Sequence, residues 1–375
     1  GSKNTSSHMP SLLDIASYDI DSDGDLEILV ANSTRVALVN TSGTYGFLST
    51  NSILDIAVGD MCDDPGAEIA LAREDGVALF SSQGVEEWFY PLANTSTINC
   101  IDWDDDKFEE ILVVTRHTVT VLDGDSSPLW SYTLSDPIVM VQVGDIDGGP
   151  EDVAICAGQG LYLVFNGGNS ILQRNLTEEP TSICMADIDG LPGSEIVLGF
   201  PSGQIYAYNM SLLAVLHASV PKPIYSIQGL NLDADSPDEL VAGCWNLVVA
   251  VDNNGTELWN TTCIGNISIL VPVGSGIIAC GVSPWIYYID EGSMVWRNRI
   301  LGNPLVTLEA NIVGGAEAEQ VVIFNDSTLS IFDRDGDEIS TKNLTSVPLQ
   351  ALRVPGLWRD YLSLVFKNGT VALIN

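Results

Sequence analysis

The chain reads as an all-β, single-domain β-propeller of four-stranded antiparallel blades, nine in number with eight as the alternative, and three observations predict it. A block of about 42 residues recurs nine times along the 375 residues. Each copy holds a short apolar strand, an acidic loop, and two or three more short strands. No stretch carries a convincing helical period.

Aligned on the acidic loop, the copies have anchors at Asp19, Asp60, Asp102, Asp145, Asp187, Asn231, near Val273, Asn311 and Arg353. Steps of roughly 39 to 44 residues are the spacing of propeller blades. The repeats begin near residues 11, 51, 95, 136, 180, 221, 263, 303 and 345. They form one domain over residues 11–375, because a single repeat cannot bury its own apolar face. Residues 1–10, GSKNTSSHMP, read as an expression scar or linker, and no signal peptide precedes them.

In the first copy Leu12 to Tyr18 reads as a strand, Asp19 to Glu27 as a loop, and Ile28 to Ala31 and Val36 to Val39 as the second and third strands. The fourth centres on Tyr45 to Leu48. Continuous apolar runs such as EILVV and EIVLG suit inner strands covered on both faces by neighbouring sheets. Several fourth strands carry a tryptophan (Trp88, Trp130, Trp259, Trp296), expected to pack between adjacent sheets. The ninth copy supplies LQALRVP, YLSLVFK and GTVALIN and then stops. Either residues 1–10 complete that sheet or the last blade has three strands. The longest apolar run, Ile267 to Val282, is broken by Pro272, Gly274, Ser275 and Gly276, and reads as two strands rather than a membrane span.

The loop DIDSDGDLE places Asp19, Asp21 and Asp23 at alternating positions, with Gly24 at the bend and Glu27 at the start of the next strand. Calcium takes six to eight hard oxygen ligands, and alternating carboxylates in a tight turn converge such oxygens on one point. This loop, followed by ILVAN and a third strand, resembles the FG-GAP or integrin-alpha-like propeller repeat, whose hairpin loops bind calcium. The tryptophan-bearing fourth strands also resemble quinoprotein-type blades. The resemblance covers nearly the whole chain after residue 10.

Carried over residue by residue, the pattern is complete in the first copy at Asp19, Asp21, Asp23 and Glu27. The third offers Asp102, Asp104, Asp106 and Glu110, with Lys107 in place of the turn glycine; the sixth offers Asn231, Asp233, Asp235 and Glu239. The fourth (Asp145, Asp147, Asp152) and fifth (Asp187, Asp189, Glu195) lack the third alternating carboxylate, which implies weaker sites completed by backbone oxygens and water. Asp60, Asp63, Asp64 and Glu68 of the second are irregularly spaced, and the last three copies lack the motif, so no metal is expected there. The structural alternative for every loop is an Asp-rich turn whose side chains cap their own backbone amides. DRDGDE at Asp333 to Glu338 mimics the motif but falls between third and fourth strands, where a hairpin turn is expected.

The turns between second and third strands lie at the other end of each blade. They hold Arg35, Arg73, Arg116 with His117, Trp245, Trp285 and Lys367, a large share of the few cations and two aromatics expected at the surface. Trp245 and Trp285 fall in adjacent blades, as a platform for sugar rings or a protein would need, or else plug the gap between blades.

With 14 Lys plus Arg against 50 Asp plus Glu, the net charge is −36, which argues against nucleic acid or an anionic membrane as partner. Asn-x-Ser/Thr acceptors occur at twelve positions (Asn4, Asn32, Asn40, Asn94, Asn175, Asn209, Asn254, Asn260, Asn266, Asn325, Asn343, Asn368), where chance predicts about three or four. This excess points to an exported glycoprotein, extracellular or at the cell surface; the alternative is that these residues simply populate turns. Among seven cysteines, Cys100, Cys156, Cys184 and Cys280 read as buried thiols, with at most one or two disulfides elsewhere.

The expected function is a non-catalytic, calcium-stabilised, monomeric binding or adhesion module with a protein or glycan ligand at the cell surface. The alternatives are a propeller enzyme, either a quinone-dependent dehydrogenase or a polysaccharide-active hydrolase or lyase, and a scaffold domain of a larger surface protein. Only three histidines exist, and no HExxH, GxSxG or phosphate loop appears.

Overall fold

The computed structural model describes residues 6–8, 12–20, 27–40, 43–50, 52–63, 65–165, 171–232, 237–300, 304–310, 319–324, 328–333, 335–344, 348–354, 361–366 and 370–374. Every regular element among them is a β-strand, and every sheet but the last is an antiparallel meander with sequence neighbours paired. The first repeat contributes Leu12–Tyr18, Glu27–Asn32, Arg35–Asn40 and Gly43–Ser49. The second contributes Ile53–Gly59, Glu68–Arg73, Gly76–Phe80 and Glu86–Pro91, and the third Thr95–Ile101, Glu110–Thr115, Thr118–Leu122 and Pro128–Thr133. The fourth (Ile138–Gly144 to Ile171–Asn175), fifth (Ser182–Ala186 to Ala214–Ser219) and eighth (Pro304–Ala310 to Glu338–Asn343) repeats also form four-stranded sheets.

Two places depart from simple repetition. The sixth and seventh repeats share one six-stranded sheet because two of its strands, Glu239–Val251 and Glu257–Val273, are long. The first half of Glu239–Val251 pairs with Ile224–Leu230 and its second half with Glu257–Val273, whose own second half then pairs with Gly276–Gly281. Asn246 and Gly265, both at positive φ (53° and 82°), mark the corners. In the ninth repeat, Pro348–Val354, Tyr361–Phe366 and Thr370–Ile374 are completed by Ser6–His8, whose residues pair with Ala372, Val371 and Thr370. Three residues of the segment expected to be a scar or linker therefore act as a strand, because the bare N–H and C=O row of Thr370–Ile374 needs a partner.

The core lies in the second and third strands. In EIALAR, EILVVT, DVAICA and GIIACG almost every side chain is buried, as runs of Val, Ile, Leu and Ala covered on both faces require. Fourth strands are largely exposed. Among the described residues, the first strands of seven repeats carry an irregularity near their start, for instance between Ile53 and Asp55 and between Ile224 and Ser226.

The chain divides into two compact units. In the unit of Gly1–Pro137, Leu308–Val321 and Lys342–Asn375, Ile20, Leu29, Ile56, Ile69 and Phe80 join the first two sheets, and Ala70, Leu79, Ile98 and Ile111 join the second and third. Leu12–Tyr18 also packs against Pro348–Val354 and Tyr361–Phe366. In the unit of Ile138–Thr307 and Val322–Thr341, the fourth sheet packs on the fifth, and the fifth on the six-stranded sheet.

Three of the four fourth-strand tryptophans touch the next repeat as expected: Trp88 Nε1 donates to Gly124 O of the third sheet at 2.7 Å, and Trp259 and Trp296 lie against the turn glycines Gly292 and Gly336. Trp130 instead lies 6.1 Å from Trp103 of its own repeat, the rings tilted by 32°. Asp333 to Glu338 is a hairpin turn, with Asp337 N donating to Asp333 Oδ1 at 2.8 Å. All seven cysteines are free thiols, five of them buried, so the structure contains none of the disulfides allowed for.

Candidate metal loops and binding face

The acid that opens each second strand has a role the sequence alone does not reveal. Glu27, Glu68, Glu110, Asp152, Glu195 and Glu239 are all buried. One carboxylate oxygen of each accepts the amide of the residue just after the loop anchor: Ile20, Met61, Trp103, Ile146, Ile188 and Leu232, at 2.6 to 3.1 Å. A buried carboxylate fixed by a backbone N–H is a charge-assisted clamp that pins the start of the loop to the sheet. Four of the six loops are also tied to the next repeat, through Ala67 N to Ile20 O, Glu109 N to Asp60 O, Ser194 N to Asp145 O and Asp238 N to Asp187 O.

On this frame, among the described residues, three loops bring carboxylates together, with ligand atoms within 4.8 Å of one another: Asp104, Asp106 and Glu110; Asp145, Asp147 and Asp152; and Asp187, Asp189 and Glu195. All three predicted acids of the fourth and fifth repeats converge. Their glycines work as turn amides: Gly148 N and Gly149 N donate to Asp145 Oδ1, and Gly190 N donates to Asp187 Oδ1. In the third repeat Asp102 is not one of the converging three; its Oδ1 accepts Asp105 N at 3.0 Å instead. Asp105 and Lys107 there sit at positive φ (58° and 127°), and Lys107 stands where the first loop's sequence has a glycine, the residue type that adopts positive φ without steric cost. Lys107 Nζ reaches Asp63 of the second loop at 3.0 Å.

Burial, with Asp104, Asp106 and Asp123 nearby, pushes the Glu110 carboxyl up to about 7. Desolvation likewise raises Glu195 and Glu68. Burial of this kind disfavours the ionised carboxylate, and a nearby cation would offset it. The donors are all oxygen and two of three in each cluster face solvent or are half-buried, which fits a hard divalent ion completed by backbone oxygens and water. Asp21, Asp23, Asp233 and Asp235 lie outside the described residues; Asp19 is half-buried and Asn231 exposed.

At the other end of the sheets the predicted ligand residues diverge. Arg73 is held by Asp75 at 3.1 Å and Glu86 at 3.8 Å and lies 4.4 Å over Phe89. Arg35 and Arg116 are exposed. Trp285 is half-buried, contacts the core of the six-stranded sheet, and has the Arg297 guanidinium 5.1 Å from its ring. Lys367 lies outside the described residues. Trp245 is 51% exposed, opposite Asn266 across the ladder.

Around Asn266 the sheet leaves further apolar surface that the sequence reading missed. Ile264 is 48% and Val282 63% exposed; Val282 N donates to Asn266 Oδ1, and Gly265 lies against Val282 and Ser283. Trp245 N donates to Pro223 O at 3.3 Å; two residues on, Tyr225 is exposed where the register slips between Ile224 and Ser226. The four contributing segments, residues 221–226, 244–247, 262–267 and 281–285, contain no Asp or Glu in a chain that has 50.

No protein-family model matches this chain, and no curated protein is similar to it. Solved structures are similar. Sqt1 of Saccharomyces cerevisiae has a TM-score of 0.65 at 12% identity, over 86% of this chain and 95% of that one. Chaetomium thermophilum Sqt1, bound to the N-terminus of the ribosomal protein L10, has 0.59 at 11%, over 99% and 98%. BamB of Moraxella catarrhalis has 0.55 at 16%, over 98% of each. At identities this low the likeness is one of architecture: this chain has an all-β, propeller-like fold of four-stranded antiparallel sheets.

Proposed function

We propose that this protein is a non-catalytic, nine-bladed, calcium-stabilised propeller that holds a protein partner through the apolar surface around Trp245, in an extracellular or cell-surface setting. The observation that carries the reading is that patch. Trp245, Ile264 and Val282 are exposed on segments that come together at Asn266, and Tyr225 is exposed on the strand that pairs beside Cys244; these segments hold no acid on a chain of net charge −36. Exposed aromatic and aliphatic side chains gathered in one place are the usual centre of a protein interface. The comparison supports a protein ligand by analogy alone: one propeller-like neighbour is solved with the N-terminus of ribosomal protein L10.

Nine blades are supported by the six-stranded sheet, which contains two four-stranded sets, and by the Ser6–His8 strand that completes the last. Calcium is supported by the three carboxylate clusters. Export is supported by the acceptor asparagines that are exposed, Asn94, Asn175, Asn254, Asn260 and Asn343. Asn32 does not belong to that set: it is 2% exposed, and its Oδ1 accepts the amides of Thr34 and Arg35.

The test places a photoreactive side chain at position 264 and, as control, at 340 on the exposed strand Glu338–Asn343, in extracts of the source cells. The reading expects one protein crosslinked saturably from 264 alone, lost in Trp245→Ala/Val282→Ser with an unchanged melting temperature. Equal crosslinking from both positions refutes it.

A further inference from the structure

A polar cleft of about 370 Å³ lies between Asn298–Ile300, at the end of the six-stranded sheet, and the strands Thr328–Phe332 and Glu338–Asn343. Its size falls within the range of small-ligand sites, roughly 300 to 1,000 Å³. Ser330 Oγ donates to Glu338 Oε1 at 2.9 Å, and Thr341 Oγ1 donates to the same oxygen. Ser330 Oγ and Thr341 Oγ1 are 3.2 Å apart. Across the cleft Arg299 is exposed and makes no ion pair among the described residues. Asn298 Nδ2 is held by Gly336 O at 2.6 Å, and Phe332 is buried beneath.

We propose that this cleft binds a neutral, polyhydroxylated ligand of the size of a monosaccharide ring or short neutral saccharide. Three features select that chemistry. First, Arg299 and Glu338 both line the cleft but do not pair, so their charges sum to zero and a ligand between them gains from being neutral overall. Second, both hydroxyl protons are committed to Glu338 Oε1, so Ser330, Thr341 and the second Glu338 oxygen present acceptors, while Arg299 presents up to five donors. Third, the acceptors are spread over three side chains on two strands. Hydroxyls distributed round a ring match a spread set, each donating to one acceptor and receiving from Arg299; a single ammonium brings all its donors to one point. The mutual hydrogen bonds of Ser330, Glu338 and Thr341 hold the acceptors before binding, which lowers the ordering cost.

The test is titration of the full chain with glucose, galactose, mannose, maltose and cellobiose, followed by saturation-transfer NMR and calorimetry, with glycine and glutamine as a second arm. We expect saturable binding of at least one saccharide, weakened at least about tenfold in Arg299→Ala, a surface change that leaves folding intact, and also in Ser330→Ala. Trp245→Ala leaves it unchanged, which separates this site from the protein-binding face. The inference is overturned if no saccharide binds saturably, if binding survives in Arg299→Ala, or if the amino acids bind in place of the saccharides.

Discussion

Replacing Glu110 by Gln separates the clamp from the proposed metal role, and the structure supplies the magnitude. Glu110 is 1% exposed, its Oε2 accepts Trp103 N at 2.6 Å, and Asp104 and Asp106 share its cluster. Burial, and then the neighbouring carboxylates, push its pKa from 4.5 to about 7. At about 1.4 kcal/mol per pH unit, that rise opposes the ionised form by on the order of 3 kcal/mol. The folded-state value lies above the unfolded one, so the folded protein holds this proton more tightly. Stability contributed by the neutral carboxyl is therefore complete below about pH 4.5 and is lost as pH climbs through about 7. Glutamine keeps the acceptor for Trp103 and never ionises. In chelator at pH 8 the variant should unfold a few degrees above wild type, and at pH 4 the two should coincide. If the loop holds calcium as proposed, the ion should reverse the order, because it needs the carboxylate and offsets its ionisation. Thermal unfolding followed by the fluorescence of Trp103 and Trp130, with and without calcium at both pH values, checks this. A variant less stable than wild type in chelator at pH 8 would refute the assignment, and so would calcium raising both midpoints equally.

The remaining predictions concern the frame. Glu68→Ala leaves Met61 N–H buried without an acceptor, so urea unfolding should show a loss of about 2 to 4 kcal/mol, with Glu68→Gln losing less than half of it. Deleting residues 1–8 strips the partner from Thr370–Ile374; a lower melting temperature and concentration-dependent aggregation should follow, measured by light scattering. Gly292→Ala drives a methyl into Trp259 at a φ of 74°, and should cost at least about 2 kcal/mol in the same urea assay. Lys107→Gly relaxes a φ of 127° at the loss of one exposed ion pair, so the third loop should bind calcium a few-fold more tightly by calorimetry.

Much of the fold is legible in the chain because its signals are local. The recurrence of Asp19, Asp60, Asp102, Asp145 and Asp187 marks the repeats, and EILVVT or EIALAR marks strands covered on both faces. Trp88, Trp259 and Trp296 of the fourth strands reach the next repeat because a large apolar ring at the edge of one unit has the next unit to pack on. The merging of the sixth and seventh repeats into one sheet was not legible. It depends on the corners at Asn246 and Gly265 keeping strand pairing unbroken, a matter of backbone geometry that turn residues alone leave open.

The site was legible in part. Spacing correctly groups the acids of the fourth and fifth repeats, yet it also enrols Asp102, which caps its own loop, since alternation cannot say whether a side chain turns inward or back on its backbone. Nor does spacing show that Glu27, Glu68 and their counterparts are buried clamps, used by the irregular second loop as by the regular ones. Asn32 reads as a glycan acceptor in sequence and is a turn cap in space.

By itself, the sequence determined the repeat, the strands, the acidic loops and the charge, because each is set within one 42-residue or shorter window. Only the tertiary structure decided which carboxylates meet, which strand completes the last sheet, and which apolar side chains stay in water. Trp245, Ile264, Val282 and Tyr225 come from four separate segments, and their exposure depends on what the neighbouring strands and the slipped register at Tyr225 do and do not cover. Burial is a property of the neighbours a residue acquires on folding, and those neighbours come from other repeats.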